Sequence, residues 1–104
     1  MTTQLTTETF AKAIQNGVSF IEFGAKWCPP CRMMEPVVEE LSQDFDGKAT
    51  IGQVDVDQSQ DLANLFGIRS IPTMVIFKDG KPVDALVGVH PKQTLMEKIQ
   101  AQLS

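Results

Sequence analysis

The chain has 104 residues, a net charge of -4 and a pI near 4.8. That length suits one domain, 1–104, with its own core, and the acidic balance argues against a nucleic-acid or anionic-membrane surface. No run of eighteen apolar residues occurs and the N-terminus lacks the basic and apolar segments of a signal peptide, so a soluble cytoplasmic protein with no membrane contact is expected.

From Thr6 to Asn16 the spacing of Phe10, Ala13 and Ile14 predicts a helix. Thr6 is its N-cap, Leu5 staples onto Phe10, and Gly17 stops it. Val18 to Ala25 is a nearly continuous apolar run, the pattern of a strand covered on both faces, with Glu22 as its one misfit. Met34, Val37, Val38, Leu41 and Phe45 trace one face of a long helix that contains Pro36, where a kink is expected, and ends before Gly47. Ala49 to Asp57 reads as a second strand, and Ser59 caps a short helix through Leu62, Leu65 and Phe66 up to Gly67. Thr73 to Phe77 is a third strand, Asp79-Gly80 a hairpin turn, and Val83 to Val89 its antiparallel partner. Pro91 opens a last helix at its first turn, with Leu95, Ile99 and Leu103 on one face, and His90 stands where it could cap that helix. The order implies an α/β fold with a mixed central sheet and helices on both faces. Met33, Met34, Met74 and Met96 read as packing. The Asp55 and Asp57 pair, alternating on a strand near a turn, reads as solvated.

Between the first strand and the long helix lies Trp27-Cys28-Pro29-Pro30-Cys31. Two cysteines three apart at a helix start can close a small disulfide, with the first sulfur at the positive end of the helix dipole, where a thiolate is favoured. Cys28 is therefore the expected nucleophile. Cys31, one turn in and less accessible, suits the resolving role. A structural bridge over so short a loop would constrain the unfolded chain little. A zinc site would need two more ligands, yet there is one histidine and no second cysteine pair, so no metal is expected.

These residues resemble the thioredoxin family, and the likeness covers nearly the whole chain. It rests on the cysteine motif with Trp27 before it, Pro36 after it, Gly67-Ile68-Arg69-Ser70-Ile71-Pro72-Thr73, Phe77-Lys78-Asp79-Gly80-Lys81 and Val87-Gly88. The resemblance implies the thioredoxin fold and a monomeric thiol-disulfide oxidoreductase that reduces protein disulfides through a mixed disulfide. It also implies that no cofactor is bound and that electrons come from NADPH through a thioredoxin reductase. By that likeness Pro72 follows a cis peptide bond and lies against the cysteines, the Ile71 backbone can pair with an extended substrate, and Glu22 takes the proton of Cys31. Trp27, Pro29, Pro30, Ile71, Pro72, Gly88 and Val89 would form an apolar patch around Cys28 that binds substrate.

The sequence departs from the commonest family pattern in four places. Pro29-Pro30 replaces glycine and proline, Glu22 replaces an aspartate, Gly24 stands where an aromatic is usual, and Gln53 where many relatives carry lysine. The double proline also occurs in extracytoplasmic thioredoxin-like reductases, which usually carry an anchor and a central insertion; neither is expected here. A thioredoxin-fold interaction module is the competing class, disfavoured by the intact dithiol beside Pro72.

Overall fold

The computed structural model describes residues 2–104. Nine elements follow in order: β1 (Thr3–Leu5), α1 (Thr7–Ala13), β2 (Val18–Gly24), α2 (Pro29–Asp44), β3 (Thr50–Asp55), α3 (Gln60–Leu65), β4 (Thr73–Lys78), β5 (Lys81–Val87) and α4 (Lys92–Leu103). The strands form one sheet in the order β1-β3-β2-β4-β5, parallel from β1 to β2 and antiparallel beyond it.

Strand alternation divides the core in two. Phe20, Ile51, Met74 and Ile76 point to one face, where Met34, Val38 and Leu41 of α2 and Leu95 and Ile99 of α4 cover them. Ile21, Phe23, Val54, Val75 and Phe77 point to the other, packed by Leu5, by Phe10 and Ile14 at α1, and by Leu62 of α3. Phe10, Phe66 and Phe77 pack edge-on or tilted with ring centroids 5.2–5.6 Å apart, within the range of favourable aromatic pairs. Glu22 and Gly24 share the parity of Phe20. Both therefore face α2, the helix that begins with the cysteine motif.

Several expectations change at element ends. β1 was not expected at all; its three residues join the sheet edge because Leu5 has a buried socket and Gly52 leaves room for it. α1 ends at Ala13 rather than Asn16, and the turn after it is clasped to the hairpin: Gly17 N–H donates to Asp79 Oδ1 at 2.8 Å, and Asp79 N–H to Gly17 O at 2.9 Å. At that hairpin Asp79 and Gly80 both have positive φ, as a two-residue turn joining twisted strands requires. β5 spans Lys81–Val87, so Gly88 and Val89 lie beyond it. Ser59 is at the N-cap position of α3 but its side chain makes no capping bond. Pro91 is the N-cap of α4 rather than a first-turn residue, and His90 does not cap; its Nε2 pairs with the Val87 carbonyl at 2.9 Å. Met33 is 65% exposed, whereas its neighbour Met34 is buried, because successive helical residues point about 100° apart. Leu65 and Leu103 are exposed as well.

The close approach at Gly52 yields a stability test. A Cβ there would meet Leu5 Cδ1 at 3.0 Å and the Thr3 carbonyl oxygen at 3.2 Å, so a side chain wedges β1 away from β3. Gly52→Val is expected to cost about 1–3 kcal/mol, read as a lower denaturant midpoint.

Candidate active site

Cys28 and Cys31 form a disulfide at the start of α2, with Cα atoms 5.2 Å apart. Cys28 is the N-cap, and its Sγ accepts the Cys31 backbone N–H at 3.3 Å. Pro29 and Pro30 occupy the first two helical positions and have no N–H, so Cys31 carries the first backbone donor of the helix. The double proline thus concentrates the helix's electrostatic support for the Cys28 sulfur in one amide. Both prolines are exposed, while both cysteines are only 3% exposed in the bridged form. The difference in access expected from their spacing is absent while the bridge is closed; what separates the two sulfurs is their surroundings.

Cys28 faces the loop before β4. Its Sγ lies 3.8 Å from the Ile71 carbonyl oxygen, and the Ile71–Pro72 peptide is cis. Ile71 packs against a small buried cluster of Ala25, Cys28 and Cys31. Gly88 N–H donates to the Pro72 carbonyl at 2.8 Å, which draws Gly88 and the half-exposed Val89 to the same rim. Gly88 has a φ of 89°, a conformation that favours glycine. Trp27 is 67% exposed, and its indole Nε1 donates to Asp57 Oδ2 at 2.7 Å. Asp55 Oδ1 in turn accepts the backbone N–H groups of Asp57 and Gln58. The two aspartates read as solvated thus have defined structural partners: Asp55 shapes the turn and Asp57 anchors the tryptophan. The exposed indole N–H, which needs an acceptor, was the available signal for Asp57. A groove of about 350 Å³ extends from Trp27 and Ile71 along Val56, Ile68 and Arg69.

Cys31 faces the opposite way, into a cleft of about 690 Å³ that Glu22, Gly24, Glu35 and Gln53 also line. A Cβ on Gly24 would stand 3.1 Å from Cys31 Sγ and 4.0 Å from Glu22 Cδ, so the missing side chain leaves the space between thiol and carboxyl open. Glu22 is 3% exposed. Its Oε1 accepts from Gln53 Nε2 at 2.7 Å, and its Oε2 is buried without a protein partner. Burial pushes this carboxyl up to about 7; the Gln53 hydrogen bond opposes the shift and the charge of Glu35 adds to it. The strand misfit is therefore a buried acid able to exchange a proton near neutrality. Among the described residues no group of three or more His, Cys, Asp or Glu is placed to hold a metal ion, and no helix is long and apolar enough to cross a membrane.

The Thioredoxin family model matches residues 1–101 of this chain. A thioredoxin of Staphylococcus saprophyticus is 48% identical over 100 residues, covering 96% of each chain, and one of Staphylococcus haemolyticus is 47% identical with the same coverage. Among solved structures, a mutant thioredoxin from Halobacterium salinarum superposes with a TM-score of 0.91 at 35% identity, covering 98% of this chain and 90% of its own. With a cysteine pair capping α2, a cis-proline loop beside it and these likenesses along nearly its full length, the chain belongs to the thioredoxin family.

Proposed function

We propose that this chain is a thioredoxin with a Cys28-Pro29-Pro30-Cys31 active site that reduces protein disulfides as a single domain spanning residues 1–104. The observation that carries this reading is the Cys28 sulfur held as the N-cap of α2 beside the Ile71–Pro72 loop. In the reduced form that position favours the Cys28 thiolate, because the amide of Cys31 and the helix dipole act on it together. The thiolate attacks one sulfur of a substrate disulfide. A Cys28–substrate bond forms, the substrate S–S bond breaks, and the first substrate thiolate leaves and takes a proton from solvent.

The second step frees the other half. Cys31 gives its thiol proton to the Glu22 carboxylate, through water in the shared cleft, and the new thiolate attacks Cys28 Sγ. The mixed disulfide breaks, the second substrate thiolate departs, and the Cys28–Cys31 bond closes. Two electrons have passed from the dithiol to the substrate. The Ile71 backbone binds an extended substrate segment by strand-like pairing, next to a Pro72 nitrogen that has no hydrogen to compete for it. Trp27, Pro29, Pro30, Gly88 and Val89 form an apolar rim that tolerates many sequences. The chain works as a cytoplasmic monomer without a bound cofactor, and a thioredoxin reductase returns its electrons from NADPH.

Insulin disulfide reduction tests this. Cys28→Ser is expected to abolish turnover, and Cys31→Ser to accumulate a covalent mixed disulfide visible by mass spectrometry. Partner binding that is equal in wild type and Cys28→Ser, without turnover in either, would make the chain an interaction module. The equilibrium potential of the pair, titrated against dithiothreitol, is expected near about -270 mV; a value of about -180 mV or above would point to isomerase or oxidase work.

The buried acid also predicts a pH-dependent stability. Glu22 has a higher proton affinity folded than unfolded, so it imposes no ionisation cost below the unfolded carboxylate range, near pH 4.5. The cost grows as pH rises to about 7 and is complete above it. Relative to Glu22→Gln, the wild-type protein is expected to lose on the order of 3 kcal/mol of stability between pH 4 and pH 8, measured by urea unfolding.

A further inference from the structure

Glu22 is reached by a row of side chains that the reaction cycle leaves unused. Gln4 on β1 lies opposite Gln53 on β3, and Gln53 lies opposite Glu22 on β2, all on one rung of parallel strands. Alternation along each strand sends the three side chains to the face that α2 covers. Gln4 Nε2 donates to Gln53 Oε1 at 2.6 Å, and Gln53 Nε2 donates to Glu22 Oε1 at 2.7 Å. The row begins at an exposed residue and ends at a buried one.

A primary amide has unlike ends, and that gives the row a direction. A carboxylate only accepts, so Gln53 must turn its NH2 towards Glu22 and its carbonyl away. The NH2 of Gln4 meets that carbonyl and holds the amide in this sense. Oε1 of Glu22 is then committed as an acceptor. The remaining oxygen, Oε2, has no protein partner and belongs to the residue that shares its cleft with Cys31. We propose that Gln4 and Gln53 are positioning residues, an amide ladder running in from the edge strand that fixes Oε2 as the oxygen of Glu22 that takes a proton. The inference rests on the reading of Glu22 as proton acceptor for Cys31, and it makes β1 part of the active site.

β1 is anchored well enough for that task. Leu5 is buried in the core, and Thr2 donates to Glu39 Oε2 on α2 from both its backbone N–H, at 3.0 Å, and its hydroxyl, at 2.8 Å. The other charged groups around Glu22 are Glu35 and Glu39 from α2, Asp55 from β3 and Lys26 from the loop before α2; Cys31 is the titratable thiol, and β4 places the apolar Met74 opposite.

Position 4 is exposed, so charge-bearing variants there are expected to fold. In Gln4→Glu residue 4 offers only acceptors; Gln53 turns its NH2 towards it and its carbonyl towards Glu22, which favours the neutral acid. The titration midpoint of Glu22, read from its carboxyl carbon by 13C NMR, is expected to rise by about one pH unit. Gln4→Lys, still a donor, keeps the wild-type sense and moves the midpoint much less. In a Gln53→Met background the effect of Gln4→Glu is expected to vanish. No shift in Gln4→Glu, or a full shift that survives Gln53→Met, overturns the ladder, the second because it would show charge acting through space. The pH profile of the resolving step separates the underlying reading: if Glu22→Gln leaves that profile unchanged, Glu22 is not the proton acceptor, whereas the NMR titration still decides the ladder.

Discussion

β2 runs through the middle of the sheet with all seven of its residues buried, and a strand covered on both faces has no side that welcomes a charge. Placing Glu22 there imposes a desolvation cost that one hydrogen bond only partly offsets. The rest of the site follows from where alternation sends that carboxyl. It emerges beneath α2, on the same side as the cysteine pair that begins the helix, and Gly24, two residues on, clears the space between them. The sheet sets the surroundings of the carboxyl, and the helix terminus sets those of the Cys28 sulfur. The cleft between them is where the two meet.

The two sulfurs therefore occupy different environments despite their spacing of three residues. Cys28 is turned to the surface rim of Ile71, Pro72 and Gly88. Cys31 is turned inward to an acidic cleft. In the cycle proposed above, attack on a substrate and release of it are served by opposite sides of one disulfide. Pro29 and Pro30 sharpen this division. By removing the first two helical amides they leave the donor on Cys31 as the link between the helix and the Cys28 sulfur.

Much of this was legible in the sequence where a local period or spacing carried it. The apolar run of β2, the face of α2, the Asp79-Gly80 turn and the cysteine spacing each reflect interactions within a few residues. What escaped depends on register between distant segments. Thr3–Leu5 is too short to show a period, and its pairing depends on β3, where Gly52 leaves room for the close approach of Thr3 and Leu5. Gln4 looks like any polar residue near a terminus until the pairing sets it across from Gln53. Met33 and Met34 are alike in type and adjacent, and only the docking of the helix decides which is buried. Gly24 stood out in the sequence only as a departure from the family's usual aromatic; that a side chain there would crowd the Cys31 sulfur follows from the docking of α2 on the sheet.

The far edge of the sheet carries its own consequence. An open strand edge is a template for further pairing with any extended chain that meets it. β5 is such an edge and displays Val83 and Val87 to solvent. Yet it begins with Lys81, contains Pro82, and its register slips against β4 between Ile76 and Phe77. Proline interrupts the row of N–H groups, the irregularity bends the strand, and the lysine adds charge. The edge strand that leads into Gly88 and Val89 is therefore a poor template for further pairing.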